Sequence, residues 1–590
     1  MIIVGVSAFY HEAACCLIKD GQLLAGAAEE RFSRMKHDPS LPTRAFQYCL
    51  KQAGIHPGQI DAVAYYEQPV LKLSRQLAQR HLAAGSGTLE WLDPQYPLEA
   101  MRKCWGLESE IVCFPHHLSH AASSFFYSGF NRAAVLVVDG VGEWATTSYG
   151  SGEGTHLGFF AQVDFPHSLG LWYATLTAYL GFRVNNGEYK VMGLAPYGKP
   201  KYLKEMRHLL RSWPGPEFEL ELKYYDFIGG GRMFSEELLE LFGKPARQPQ
   251  EPVTQFHKDV ARSLQVHLEE ILLEKAEYLH ERTKEPNLCL AGGVALNCVA
   301  NGRLHRQSSF KNIFVQPAAG DDGGCLGAAA LAHVQLTGKV PFENPQRHCF
   351  IGPSYTVKAI HQLLEELAIP FLDFRDNEQG LAETIAEKLA GNQVVGHFHG
   401  RMEMGPRALG ARSILANPMD PTIRERLNLL VKKRESFRPF APSVLNNQAK
   451  DHFDLGWESA FMLETCQVKS TLELPGITHV DGSARPQTVS AQDAPRFAKI
   501  IEAFYQQTQC PMVVNTSFNL RGEPIVNRPD EALRCAVRAN LDALVLGDFV
   551  ITRDAFPKAW VSLADYGWPA DSHSNQHRHD VLVENLYSFV

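Results

Sequence analysis

The sequence predicts an α/β protein of two large domains, the first of them internally duplicated. Three observations carry that expectation. The 590 residues exceed what one hydrophobic core supports. A strand, turn and returning strand occur at residues 1–30 and again at 133–150, each with an Asp-Gly pair at a turn. A stretch rich in turn residues at 335–355 then separates a second run of alternating helices and strands. The expected domains are 1–350 and 351–590, with the cleft of the duplicated domain facing both turns of its repeated unit.

In chain order, IIVGVSAFYHEA and ACCLIKDGQLLAGAAEE form the first unit, closed by Asp20-Gly21. The loop EERFSRMKHDPSLP (29–42) is basic within an acidic chain, and Arg31, Arg34, Lys36 and His37 could all serve an anion. Residues 43–110 read mostly as amphipathic helix. Pro115 ends a short strand and opens a helix on which His116 and His120 stand one turn apart, so both rings leave the same face. VLVVDG (135–140) is a buried strand with Asp139 at its carboxyl end. Spacing alone admits two readings, a metal site with open positions or packed helix histidines beside a turn aspartate.

Further on, a helix ends near Gly181, and a Gly/Asn loop presents Glu188 and Lys190. Asp226 precedes three glycines and is a candidate base. A long helix over 254–282 leads into NLCLAGGVALN, where a strand feeds Gly292, Gly293 and a helix opening at Asn297, the geometry of a phosphate cradle. Asp321 and Asp322 lie between a strand and a glycine-opened helix. Adding Asp321 to His116, His120 and Asp139 gives two imidazoles and two carboxylates, a set suited to iron(II), manganese or zinc; which of the paired aspartates ligates stays open.

In the second half, GRMEMGPRALGARSIL alternates Arg401, Arg407 and Arg412 with glycines, and KKRESFRPFAPSVL adds Lys432, Lys433, Arg434 and Arg438. Arg485, Asn515 and Ser517 follow in HVDGSARPQTV and MVVNTSFNLRGEPIV. Arginine beside glycine and proline in a chain of net charge −8 points to convergence on one anionic ligand. No GxxxxGK[ST] loop occurs, which argues against an ordinary P-loop ATPase.

Composition bounds the partners. Hydrophobic residues at 45% and charged residues at 21% are globular values, and the acidic balance argues against a nucleic-acid protein. The opening apolar stretch has no basic start and is broken by Tyr10, His11 and Glu12, so it does not read as a signal peptide. No run reaches transmembrane length, so no membrane is expected. The 12 cysteines contain no CxxC, which suits a reducing, cytoplasmic setting.

Taken together, GVSAFYHEAA, EERFSRMKHD, PHHLSH, VVDG, GEYKVMGLAPYG, AGGVALN, GDDGG, GRMEMGPRALGARSIL, FRPFAPS and NTSFNLRGEPIV resemble the O-carbamoyltransferases of the NodU/CmcH type, which include the tobramycin carbamoyltransferase-like enzymes. The match runs in order along nearly the whole chain. It implies an actin/sugar-kinase-like first domain, similar to the tRNA threonylcarbamoyl transferases, and a YrdC-like α/β second domain. The implied activity is ATP-dependent: carbamoyl phosphate and Mg-ATP give carbamoyl-adenylate in the second domain. The carbamoyl group then passes internally to the first domain and onto a hydroxyl of a small natural-product or sugar acceptor, in secondary metabolism such as antibiotic biosynthesis.

By the same resemblance, His116, His120, Asp139 and Asp321 match metal ligands, with iron(II) ahead of manganese or zinc. His11 matches the histidine near the carbamoyl carbonyl, and Asp226 an acceptor base. Lys36, Lys190, Gly292, Gly293 and Asn297 face the nucleotide. Arg407, Lys432, Arg438, Arg485, Asn515 and Ser517 match the contacts to carbamoyl phosphate and ATP. A homodimer is a family trait. Two other readings remain: a carbamoyltransferase of the hydrogenase-maturation kind acting on a protein cysteine, and a non-enzymatic actin-like nucleotide-binding scaffold.

Overall fold

The computed structural model describes residues 1–82, 93–229, 232–342 and 344–565. The chain separates into two compact units. Among the described residues, one contains Met1–Glu29 and His37–Gln346; the other contains Glu30–Lys36 and 347–565.

The first unit holds two five-stranded sheets. Strands β1 (Ile2–Ser7), β2 (Ala14–Lys19), β3 (Gln22–Ala28), β4 (Ala62–Tyr65) and β5 (Glu110–Cys113) lie in the order β3-β2-β1-β4-β5. Strands β6 (Arg132–Val138), β7 (Ala145–Glu153) and β8 (His156–Asp164) begin the second sheet. A small pair, β9 (Leu210–Ser212) and β10 (Phe218–Leu220), stands apart from it. Strands β11 (Asn287–Ala291) and β12 (Asn312–Val315) complete it, in the order β12-β11-β6-β7-β8. Each sheet starts with an antiparallel meander of three strands, and the first strand of each meander pairs in parallel with the next one along. The topology is therefore the same twice over, and the first unit is a duplicated α/β domain.

Residues 43–110, read as helical, contain β4 and the start of β5. These strands have four residues each, too few for a period to emerge. The central strands β1 and β6 are buried along almost their whole length, as parallel pairing with covered faces requires.

One close crossing positions the chemistry. The helix Gly324–Thr337 passes so near the helix His116–Phe125 that a Cβ at Gly327 would lie 1.7 Å from the Ser119 carbonyl oxygen. Only glycine allows that approach. Because Asp321 sits just before Gly324, the crossing sets its carboxylate opposite the histidine helix.

The second unit is built on one eight-stranded mixed sheet. Its strands are β13 (Leu372–Asp373), β14 (Val395–Phe398), β15 (Arg412–Ala416), β16 (Ala441–Leu445), β19 (Gln487–Val489), β20 (Met512–Ser517), β21 (Ala543–Leu546) and β22 (Phe549–Thr552). A separate pair consists of β17 (Cys466–Gln467) and β18 (Ser483–Ala484). The sheet order is β13-β22-β21-β14-β15-β20-β16-β19. Helices Glu378–Ala390, Pro495–Thr508 and Pro529–Arg538 bury apolar faces in its core, among them Leu381, Ile385, Phe497, Ile501, Phe504 and Leu533.

Candidate functional site

In the first unit, helical spacing puts His116 and His120 on one face, and β6 delivers Asp139 just past its last residue. The two Nε2 atoms stand 3.0 Å apart. Asp139 Oδ2 lies 3.1 Å from His116 Nε2 and 3.6 Å from His120 Nε2, and Asp321 Oδ1 lies 3.5 and 3.4 Å from the same atoms. All four residues are buried, and their ligand atoms fall within 4.8 Å of one another. Asp321 is therefore the member of the 321–322 pair that faces the centre. His117 turns away, its Nδ1 at 2.7 Å from Ser148 Oγ.

Charge explains what such a cluster requires. Burial lowers the basicity of both imidazoles, but the carboxylates outweigh it and raise both, His120 to about 10. The same histidines hold Asp139 well below the usual carboxylate range against the pull of burial. Two enclosed carboxylates need positive charge beside them, which the protonated rings supply in the bare cluster and a bound cation would supply in their place. Asp321 Oδ2 is buried and has no hydrogen-bond partner among the described residues. Two imidazoles and two carboxylates with an unspent oxygen fit a divalent cation such as iron(II), manganese or zinc.

The backbone holds this centre in place. Gly293 N–H donates to Asp139 Oδ1 at 2.9 Å, and Glu143 Oε1 accepts the His116 N–H at 2.9 Å. Gly292 adopts φ +90°, and a Cβ there would stand 2.3 Å from the Val138 carbonyl oxygen. We expect Gly292→Ala to cost about 3 kcal/mol of stability, read as a lower urea midpoint, with bound metal falling in parallel.

His11 lies beside the cluster. Asn185 Nδ2 stands 2.7 Å from its Nδ1, and burial lowers its pKa despite the nearby Asp321, Glu12 and Asp139, so the ring stays neutral. Glu12 is held by His37 at 2.9 Å.

In the second unit a buried lysine is ringed by cations. Lys432 Nζ donates to the carbonyl oxygen of Ser517, to Asn519 O at 3.0 Å and to Asn519 Oδ1 at 2.9 Å. Burial, with Arg434, Arg438 and Lys36 close by, pushes it well below the ordinary lysine range. Lys36, separated in sequence by nearly the whole first domain, thus belongs to this cationic group. Asn515 is buried and donates to Ser443 Oγ at 2.9 Å and Gln487 Oε1 at 3.1 Å, while its own Oδ1 is unpartnered within the protein.

The Carbamoyltransferase N-terminus family matches residues 2–330, and the Carbamoyltransferase C-terminus family matches residues 386–553. The chain belongs to the carbamoyltransferase family. The Nodulation protein NolNO of Sinorhizobium fredii is 38% identical over 572 residues, covering 94% of this chain and 81% of that protein. The Nodulation protein NolO of Bradyrhizobium diazoefficiens is 38% identical over 460 residues, covering 76% and 81%. A Synechocystis protein, sll1178, is 43% identical over 598 residues, covering 94% and 97%. The chain is accordingly a carbamoyltransferase enzyme.

Several residues expected to contact ligand have other tasks in this carbamoyltransferase. Asn297 caps the helix Cys298–Gln307, accepting the Ala300 N–H at 3.1 Å, and pairs both ways with Gln265 at 3.0 Å. Gly293 N–H likewise donates to Asp139, so the turn expected to cradle a phosphate also braces the His/Asp cluster. Lys190 stands over the Phe182 ring at 5.7 Å. Asp226 is half-buried between Tyr225 and Phe227, which are both buried; Gly230 and Gly231 lie outside the described residues.

Not every arginine of the second unit converges on an anion. Arg412 is fully buried and donates to the carbonyls of His399, Ala411, Pro353 and Gly400 at 2.9 to 3.1 Å, with its guanidinium 3.7 Å from the Phe398 ring. Arg401 donates to the Ile351 and Gly352 carbonyls, Arg31 to Gly405 O at 3.0 Å, and Arg34 to Ile525 O at 2.7 Å and Pro524 O at 2.8 Å. The loop carrying Arg407 is folded around buried Glu403, whose Oε1 accepts the N–H groups of Leu409, Ala411 and Arg412. Removing the donor strands four carbonyls, so Arg412→Met is expected to destabilise the protein by roughly 3–5 kcal/mol, measured by chemical denaturation followed by near-UV circular dichroism.

Sequence reasoning missed Glu143, Glu403 and Gln265. Nothing in their local sequence distinguishes them from surface carboxylates and amides.

Proposed function

We propose that this carbamoyltransferase uses carbamoyl phosphate, ATP and one water to form carbamoyl-adenylate, the water freeing carbamate with release of phosphate and the carbamate displacing pyrophosphate from ATP, and then carbamoylates a hydroxyl of a small acceptor, releasing AMP. The observation that carries the reading is the convergence of His116, His120, Asp139 and Asp321 inside a duplicated α/β domain of a carbamoyltransferase. A divalent cation held there, iron(II) foremost, would act as a Lewis acid on the carbamoyl oxygen.

The chain's own residues supply the rest. Neutral His11 can donate a hydrogen bond to the carbamoyl oxygen or accept the proton of the attacking hydroxyl. Asp226 is the second proposed base. In the other unit, Lys432, Lys36 and Arg438, joined by Arg407 and Arg485, neutralise the phosphates of both substrates, because crowded cations bind oxyanions most strongly where water is excluded. Asn515 and Ser517 offer side chains to the nucleotide. Lys190 is proposed to meet the nucleotide from the first unit.

A cytoplasmic setting is part of the proposal, and no helix among the described residues is long and apolar enough to cross a membrane. The decisive assay follows AMP and pyrophosphate from ATP with and without carbamoyl phosphate. Release that depends on carbamoyl phosphate is expected; its absence would leave a nucleotide-binding scaffold. Carbamoylation of a protein cysteine instead of a hydroxylated small molecule would favour the hydrogenase-maturation kind of activity.

A further inference from the structure

The helix Pro69–Leu82 carries Lys72, Arg75 and Gln79 at spacings of three and four residues, so their side chains share one face. Arg75 has no exposed surface. A fully buried arginine is ordinarily paired with a carboxylate or surrounded by carbonyls, as Arg412 is. Arg75 is neither. Its Nη1 donates to Gln79 Oε1 at 3.2 Å, and its plane lies 5.8 Å from the Phe165 ring. Among the described residues Nε and Nη2 have no hydrogen-bond partner, and neither does Gln79 Nε2, which is buried with them.

Those three unspent groups are all donors. Nε and Nη2 lie along one edge of the guanidinium, with two N–H bonds running parallel, the arrangement that receives both oxygens of a carboxylate. The nearest acids are engaged elsewhere. Glu67 Oε1 accepts from Lys72 Nζ at 2.7 Å and from the Tyr65 hydroxyl at 2.9 Å, and Glu143 Oε1 accepts two backbone N–H groups.

The position relative to the metal centre follows from Tyr10. Its ring is packed against His11 at 4.4 Å and under Lys72 Nζ at 5.0 Å, and its hydroxyl feels the charges of Arg75, Asp321 and Asp139. Tyr10 is thus a neighbour of His11 and Lys72 whose hydroxyl lies within reach of the charges of both Arg75 and the two aspartates. Phe165, which faces the guanidinium, meets Phe227 at 6.1 Å, next to Asp226 in sequence.

We propose that Arg75 and Gln79 form an acceptor-recognition site that binds a carboxylate on the molecule to be carbamoylated. The inference rests on the carbamoyl-transfer reading and specifies its substrate class: an acidic hydroxylated molecule, held at its anionic end while a hydroxyl is directed past Tyr10 toward the metal centre. Placing the specificity determinant on a helix face fixes the acceptor's distance from the reacting carbon.

The test compares wild-type protein with Arg75→Met and Arg75→Lys, using D-glucuronate and D-glucose as matched acidic and neutral probes. Calorimetric binding is measured first, because it needs no carbamoyl transfer. Glucuronate is expected to bind wild type at least tenfold more tightly than glucose, and Arg75→Met removes that preference. Arg75→Lys, which keeps the charge but loses the parallel edge, retains only a fraction of it. Turnover, read as acceptor-dependent AMP release with saturating ATP and carbamoyl phosphate, follows the same ratio.

Thermal melting separates this from a structural role. Replacing an unpartnered buried cation by a methionine raises the melting temperature by a few degrees, whereas loss of a structural arginine lowers it. Equal binding of the two probes by wild type, or a lower melting temperature for Arg75→Met, overturns the proposal. Equal loss of turnover on both acceptors also overturns it and places the guanidinium on the phosphate of the activated donor. Failure of all turnover with glucuronate binding intact would count against the transfer reading alone.

Discussion

His120→Ala and Asp321→Asn are expected to lower carbamoyl transfer about a thousandfold, roughly 4 kcal/mol of transition-state stabilisation, while pyrophosphate release from ATP and carbamoyl phosphate persists. The argument is electrostatic. His120 Nε2 and Asp321 Oδ1 stand 3.4 Å apart and both face the midpoint of a cluster from which water is excluded. Removing His120 takes away one donor and leaves two carboxylates opposed by a single imidazole. Asp321→Asn keeps the shape and removes one negative charge, so the two variants separate loss of a ligand from loss of charge. Bound metal, measured by elemental analysis after dialysis, should fall below one per chain in both. Retention of metal with undiminished transfer in either variant would remove these residues from the chemistry. Loss of pyrophosphate release in step with transfer would mean that the two half-reactions are not divided between the units as proposed.

Much of this centre was legible because its residues sit at ends of regular elements. The one-turn spacing of His116 and His120 survives any packing, and a carboxylate following a buried strand emerges at the sheet's edge. The two sheets do share one topology, but the Asp-Gly pairs that suggested a repeat are not equivalent: Asp20-Gly21 joins β2 to β3, whereas Asp139-Gly140 lies between β6 and β7. What stayed hidden depends on contacts far apart in sequence. Arg412 and Arg407 belong to the same glycine-rich loop and look alike there, yet Arg412 is spent on four carbonyls. Gly292 and Gly293 have the pattern of a phosphate turn, but the donor that matters is aimed at Asp139. Lys36 follows the first hairpin in sequence and groups with Lys432, because the short segment Glu30–Lys36 leaves the first unit for the second. β4 and β5 were lost in a helical reading because four residues give no period. In each case the local pattern named a chemical type correctly, and only the fold chose its partner.

Lys432→Met should cut carbamoyl-adenylate formation, with a fall of ~10²–10³-fold in pyrophosphate release. The lysine is buried in the company of Arg434, Arg438 and Lys36, an arrangement in which each cation disfavours the others. We propose that an anion relieves this crowding, as the phosphates of the substrates would. Its Nζ already has acceptors in Ser517 and Asn519, and these orient the ammonium without neutralising it. Methionine keeps the stem length and removes the charge and the repulsion, but it strands the oxygens of Ser517 and Asn519, so the fall in turnover is read beside any change in stability. Lys432→Arg keeps the charge but enlarges the head group beside β20, and it should recover part of the rate only if charge outweighs fit. The check is a titration with inorganic pyrophosphate, an oxyanion that needs no chemistry to bind. Wild type should be stabilised against heat by added pyrophosphate, and Lys432→Met should lose most of that shift. If both proteins gained the same stabilisation, the cluster around Lys432 would be a packing feature, and the anion would have to be sought at Arg407 and Arg485 instead.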